Sequence, residues 1–196
     1  MKRGIFTVIA CALLQASVFA QTVKFESYML GDKIGHLTAT RKSGGNIVFY
    51  EITTRSEAKV LGIKRVVETT STMTFKDGML IDGFYKSIDN GEVDNLRTIK
   101  WDGSKYVVDA LKEKTSFTEK IYASNVGMYF AEPSKASRIF YITNSDFTTV
   151  SIGKSGHEYT FKTSDGVKHR FIYENGVLKE VQNEVSLFTV TFKRVS

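Results

Sequence analysis

The sequence reads as a mainly β protein: one curved antiparallel sheet, an open barrel or two-layer roll of about 10–12 strands, with one or two short helical segments. Three observations carry this. Apolar and polar residues alternate at period two over most of the chain, and Gly-centred turn pairs recur at hairpin spacing. No segment holds a sustained 3.6-residue apolar stripe with a cap at each end.

The chain begins with Lys2 and Arg3, then the apolar run "GIFTVIACALLQASVFA", which closes on Val18-Phe19-Ala20. Small residues at −3 and −1 are the pattern a signal peptidase cuts, so cleavage is expected between Ala20 and Gln21. Residues 1–20 are then a removed signal peptide, and 21–196 form one antiparallel β domain, exported to the periplasm or the cell exterior. Lipid attachment at Cys11 is the weaker reading. Only about seven apolar or neutral residues precede it, fewer than a full signal core, and a second apolar block follows where a tether would be polar. The run is also at the short end for a membrane span, and the mature chain holds no transmembrane segment.

Cys11 is the sole cysteine and leaves with the signal, so the mature chain is expected to have no disulfide and no thiolate chemistry. Losing Lys2 and Arg3 takes the 27 basic residues to 25 against 21 acidic ones. That excess is spread thinly and no basic run exceeds two residues, which argues against nucleic acid as a partner.

Turn signals follow in order at Gly31-Asp32, Ser43–Asn46, Asp77-Gly78, Asp89–Gly91, Asp102-Gly103, Ser155-Gly156, Asp165-Gly166 and Asn175-Gly176. Asn-Gly and Asp-Gly pairs supply the positive φ that tight hairpins need. Between them, "NIVFYEITT" sets Val48, Tyr50 and Ile52 on one face, and "SLFTVTFKR" sets Phe188, Val190 and Phe192 on one face. In "GHEYTFKTSDGVKHRFIYENGVLKE" a three-residue loop, Ser164–Gly166, pairs Phe161 with His169, Tyr159 with Phe171 and His157 with Tyr173. That register puts aromatics on one face and charges on the other, with Ile172 the misfit; a two-residue loop mixes them. The Asn175-Gly176 turn then brings Tyr173 opposite Leu178. Helical turns are expected in "YVVDALKEK" and in "SNVGMYFAE", where Ser124 or Asn125 can cap. The stretch near 110–124 reads as a crossover.

Pro133, the sole proline, disfavours helix at Glu132 and ends whatever Ser124 opens. Met128, Tyr129 and Phe130 are three adjacent large groups that no single strand face can bury. Met128, Tyr129, Phe130, Glu132 and Pro133 are therefore the candidate motif, read as a plug over the open side of the sheet ahead of a ligand contact.

Constellations for chemistry are sparse. His157 and His169 share a face about 13 Å apart at about 3.3 Å per residue, too far to share a metal ion, and no His-x-His spacing exists. "SIGKSGHE" lacks the spacing of a phosphate loop, Asp89, Glu92 and Asp94 form a solvated turn, and no Gly-x-Ser-x-Gly elbow occurs. Trp101, beside a hairpin turn, reads as core. No catalytic residue, metal site or cofactor is expected.

"YASNVGMYFAEPSKASRIF", the Tyr173-x-Asn175-Gly176-x-Leu178 hairpin and the opening "SYMLGDKIGHLTATR" together resemble an uncharacterised family of exported, Bacteroidetes-type proteins of unknown function. The resemblance covers most of the mature chain. It implies export and a curved antiparallel sheet, distantly similar to lipoprotein-carrier-like envelope proteins, and carries no catalytic residue.

The expectation from sequence is an exported, non-enzymatic β domain of the cell envelope that binds a lipid or other apolar or amphipathic small molecule. The alternative is an envelope module that contacts a protein or glycan and has no internal ligand. An unrecognised hydrolase stands third and requires a cleft where a histidine meets a serine or carboxylate.

Overall fold

The computed structural model describes residues 18–196 apart from 61, 136 and 186. The signal run and Cys11 lie outside the described residues, except for exposed Val18, just ahead of the first strand, and exposed Phe19 and Ala20, which begin it.

Strands β1 (Phe19–Met29), β2 (Asp32–Gly44), β3 (Ile47–Val60), β4 (Ile63–Lys76), β5 (Met79–Asp89), β6 (Glu92–Trp101), β7 (Tyr106–Ala110) and β8 (Lys114–Phe117) form a continuous meander. After a crossing segment come β11 (Ser151–Ile152), β12 (Glu158–Lys162), β13 (Lys168–Glu174), β14 (Val177–Val185) and β15 (Phe188–Arg194). These pair in sequence and join the first meander edge to edge through β15 and β1. The result is one curved antiparallel sheet of 13 strands, open between β8 and β11 rather than closed into a barrel. A second, two-stranded sheet holds β9 (Arg138–Tyr141) and β10 (Asp146–Thr149). The total exceeds the expected 10–12 because short strands such as β8 and β11 carry too few residues to show a period.

All the turn signals fall at chain reversals. Thr163 N–H donates to the Val167 carbonyl at 2.9 Å, and Phe161 faces His169 as the three-residue loop requires. Gly166 takes φ +92°, a region that L side chains enter only at a steric cost. Tyr173 lies opposite Leu178, with a bulge between Ile172 and Tyr173. Ile172 stays half-buried on the outer face, between Glu158 and Glu180.

Two expectations fail over one stretch: the crossover expected near 110–124 starts only after β8, at 118, and the helix expected just before it is absent. "YVVDALKEK" forms no helix: it is β7, a reversal at Leu111-Lys112 and the start of β8. Tyr106 and Val108 alternate inward and are fully buried, while Val107 is β-branched and faces out. Burial at period two outweighs the helical preference of Ala110–Lys114. "SNVGMYFAE" forms a single 3-10 turn, η1 (Asn125–Tyr129), and Ser124 makes no side-chain capping bond.

Residues 118–150 start beside β8 at one edge of the sheet and end at β11 on the other, so this segment must cross a face. It crosses the concave one. Ile121, Val126, Met128, Tyr129, Phe140, Ile142 and Val150 from the segment join Val23, Phe25, Leu37, Tyr106 and Phe171 from the sheet in one core. Two hydrogen bonds pin its entry: the Tyr106 hydroxyl donates to the Leu80 carbonyl at 2.7 Å, and Leu80 N–H donates to the Ile121 carbonyl at 2.9 Å. Gly83 makes room for it, since a Cβ there would lie 2.9 Å from Ile142 Cδ1.

Candidate functional site

The concave face is filled unevenly. On β3 and β4 the inward pairs run Tyr50↔Met73, Ile52↔Ser71, Thr54↔Thr69, Ser56↔Val67 and Ala58↔Arg65. The Tyr50 end carries bulk: Tyr50 meets Phe75 edge-on at 5.9 Å and Phe130 of the crossing segment at 5.6 Å. The other end carries Thr, Ser and Ala, whose short side chains cannot reach the facing layer. What remains is a cavity of about 520 Å³, within the size range of small-molecule sites.

Its walls are mainly apolar. Leu37, Ile52, Val126, Ile142 and Phe192 are buried around its floor, and Ala58, Val67, Val185 and Phe188 are more exposed toward the open end. Polar groups punctuate these walls. Thr54 and Thr69 bond to each other through their hydroxyls at 2.7 Å and so satisfy themselves. Ser71 Oγ and Asn125 Oδ1 have no partner, although Ser71 is only 8% exposed. Tyr85, Tyr129 and Tyr141 also line the space. Burial pushes all of their hydroxyls above the usual tyrosine range, so they stay neutral donors. The lining cation Arg65 is engaged at the rim, its Nε donating to the Asp89 carboxylate at 2.9 and 3.0 Å.

Of the candidate motif only Tyr129 lines this cavity. Tyr129, 7% exposed, lines it and meets Phe25 at 5.8 Å and Phe171 at 5.5 Å, both edge-on. Met128 is buried and its carbonyl accepts from the Tyr173 hydroxyl. Phe130 packs on Tyr50, away from the cavity lining. Glu132 accepts from the Tyr159 hydroxyl at 3.2 Å and lies 2.8 Å from His157 Nδ1. Pro133 is half-buried in the irregular stretch before β9. Ala20 and Gln21, flanking the expected cleavage point, lie in β1 opposite Lys42 and Arg41.

The histidines do not converge. His157 is on the surface with Glu132, and His36 lies in a shallow polar depression on the outer face beside Arg55 and Glu68. His169, 5% exposed, stacks on Phe161 at 4.7 Å and sits 2.8 Å from Asn183 Oδ1 through Nδ1. Among the described residues no three His, Cys, Asp or Glu side chains cluster to hold a metal ion, and no helix is long and apolar enough to cross a membrane. Trp101 packs edge-on against buried Tyr106 at 4.9 Å.

Sequence reasoning missed the cavity-lining set on β3 and β4. A signal was present, because the inward positions change from Tyr50 and Met73 to Thr54, Ser56, Ala58, Thr69 and Ser71 along neighbouring strands. Hydroxyl and methyl side chains at successive inward positions mark a face that its own residues do not fill.

Fold and site together define a class: an open, strongly curved antiparallel sheet, threaded by its own crossing segment, with an internal cavity beside that segment. The chain belongs to the family described as a domain of unknown function (DUF6134), whose model matches residues 25–195. No curated protein and no solved structure matches it.

Proposed function

We propose that this domain binds an apolar or amphipathic small molecule in the cavity between β3, β4, β15 and the crossing segment, as an exported, non-enzymatic protein of the cell envelope. The cavity of about 520 Å³ with mainly apolar walls carries the reading. Burying a ligand's apolar surface there contributes about 25 cal/mol per Å² removed from water, which suffices for binding without any catalytic group. The N-terminal run ending at Ala20 supports export, and the concave, internally plugged sheet supports a carrier-like role in moving a poorly soluble molecule through an aqueous compartment.

The test uses delipidated protein and the neutral fluorescent probe N-phenyl-1-naphthylamine. Saturable one-site uptake is expected in the native protein and strong loss in Thr69→Phe, which fills the space. Absence of saturable uptake, or equal uptake by the filled variant, overturns the reading. Mass spectrometry of the protein secreted from its own cells should find Gln21 at the N-terminus; an intact Met1 would remove the exported setting.

A further inference from the structure

We propose that the cavity selects an uncharged, hydroxyl-bearing amphiphile over a carboxylate of the same chain length, with the hydroxyl directed to the floor near Ser71 and Asn125 and the tail toward Phe188 and Val185. This rests on the ligand-binding reading above.

The first ground is the pair of unpartnered polar atoms. Ser71 Oγ and Asn125 Oδ1 both belong to cavity-lining residues, and neither has a hydrogen-bond partner. Such atoms are uncommon in folded proteins, because a buried group without a partner keeps its full desolvation penalty. Asn125 Oδ1 can only accept, so its match must donate, whereas the Ser71 hydroxyl does either. A ligand hydroxyl also does both and so fits either site; a carboxylate only accepts and leaves Asn125 Oδ1 unmatched.

The second ground is charge. Arg65 is the one cation among the described lining residues, and Asp89 holds it in a two-oxygen grip at the rim. Arg97, across from Tyr85 on β6 and outside the lining, directs Nη1 to Glu113 at 3.3 Å and to the Ser145 hydroxyl at 3.5 Å, while its Nε is buried without a partner. His169 touches this region through Asn183, and burial biases its ring to the neutral form. Asp94 and Asp165 add to the upward push on the Tyr85 hydroxyl, and Asp165 to that on Tyr141, although no carboxylate lines the cavity itself among the described residues. An anionic head group entering here loses its hydration and meets no unpaired cation among the described lining residues, an arrangement that penalises a buried charge.

The third ground is polarity along the cavity. The Ser71 Oγ and Asn125 Oδ1 atoms are shielded from solvent, while Ala58, Val67, Val185 and Phe188 give the more exposed end a mainly apolar lining whose polar groups, Ser56, Asn183 and Arg65, are already partnered by Ser27, His169 and Asp89. A ligand with one polar end therefore matches in one direction, head inward.

The test displaces N-phenyl-1-naphthylamine from the full protein with 1-decanol and with decanoate at pH 8, below their aggregation concentrations. Decanol should displace the probe at least about tenfold more effectively, and Ser71→Ala and Asn125→Leu should each weaken decanol about fivefold, the loss of one hydrogen bond. Probe affinity in the variants reports an intact cavity, and Ser71→Ala, which deletes an unsatisfied atom, is not expected to impair folding. Decanoate matching or exceeding decanol, or unchanged decanol affinity in both variants, overturns the inference while leaving ligand binding in place. A native protein that never takes up the probe instead overturns the ligand-binding reading itself.

Discussion

The hydroxyl of Tyr173 in β13 donates to the main-chain carbonyl of Met128 in η1, and it also lies 3.4 Å from the Ala131 carbonyl. One side chain on the sheet thereby serves the backbone of the crossing segment where that backbone is too irregular to serve itself. Tyr173→Phe keeps the edge-on contact with Tyr159 at 5.4 Å and removes only the donor. The expected cost is about 1–3 kcal/mol, because the Met128 carbonyl stays buried with no partner. Urea melts read it directly, and a change within error would show that water reaches that carbonyl.

Tyr129 belongs to both the packing and the cavity wall. Its ring bridges Phe25 on β1 and Phe171 on β13 across the concave face. Tyr129→Ala is expected to lose about 3–5 kcal/mol, the range for truncating a large buried aromatic, and to enlarge the cavity. Tyr129→Phe keeps the packing and should stay within about 1 kcal/mol, since it trades only one hydrogen-bonding group. Thermal melts of the pair separate ring from hydroxyl, and equal losses in both variants would contradict this division.

Much of the sheet was legible because local rules and burial agree there. Phe161, His169, Tyr159 and Phe171 occupy one face only if the loop has three residues, so the register of β12 and β13 followed from composition alone. Asn175-Gly176 fixed the next hairpin by its turn chemistry. The helix expected over "YVVDALKEK" shows the opposite case: Ala110, Leu111 and the lysines favour helix locally, and inward burial of Tyr106 and Val108 wins. The crossing segment was legible only in outline. Pro133 and the Met128–Phe130 run announce an interruption, but contacts as distant in sequence as Tyr129 with Phe25 decide where it lies. The cavity depends on a mismatch between two layers, Thr54, Ser56 and Ser71 on one side and Val126 and Tyr129 on the other. The small inward residues of β3 and β4 mark an unfilled face, but what stands opposite them is set by residues distant in sequence.

Gly35 on β2 tests how closely the long strands are fitted. A Cβ built there would lie 1.9 Å from the Arg55 carbonyl oxygen and 2.8 Å from Ser56 Cα, both backbone atoms that cannot swing aside. The ladder is also irregular on the other side, where the pairing of β1 with β2 shifts register between Ser27, opposite Gly35, and Tyr28. Gly35→Ala should therefore push β2 from β3 at Ser56 and cost at least about 1–3 kcal/mol, the scale of overpacking. Gly31→Ala meets no atom within 4 Å and strains only its own φ of +93°. If hydrogen exchange at Arg55–Glu57 is no faster in Gly35→Ala than in Gly31→Ala, the close approach is not what requires glycine.

His169 makes stability depend on pH in a defined window. Burial lowers its pKa below the ordinary histidine value of 6.5, and the bond His169 Nδ1 donates to Asn183 Oδ1 and the charge of Asp165 oppose that only in part. The folded state therefore holds the ring neutral, while the unfolded chain takes up a proton near pH 6.5. The unfolded state binds more protons below that value, so the contribution is fully present above pH 6.5 and is lost as pH falls toward the folded pKa. Asp89, lowered by Arg65, and Asp102, lowered by the Lys105 and Ser104 backbone N–H groups, lose their contributions only in the more acidic carboxylate range. Between pH 7.5 and about 5 the fall in urea-melt stability should thus carry the His169 signature, about 1.4 kcal/mol for each pH unit over which the folded state resists protonation. His169→Phe keeps a ring against Phe161 and Tyr141 and should flatten the curve in that window, leaving the steeper acid limb unchanged. A variant whose curve still falls between pH 7.5 and 5 as the native protein's does would assign the proton uptake to another group.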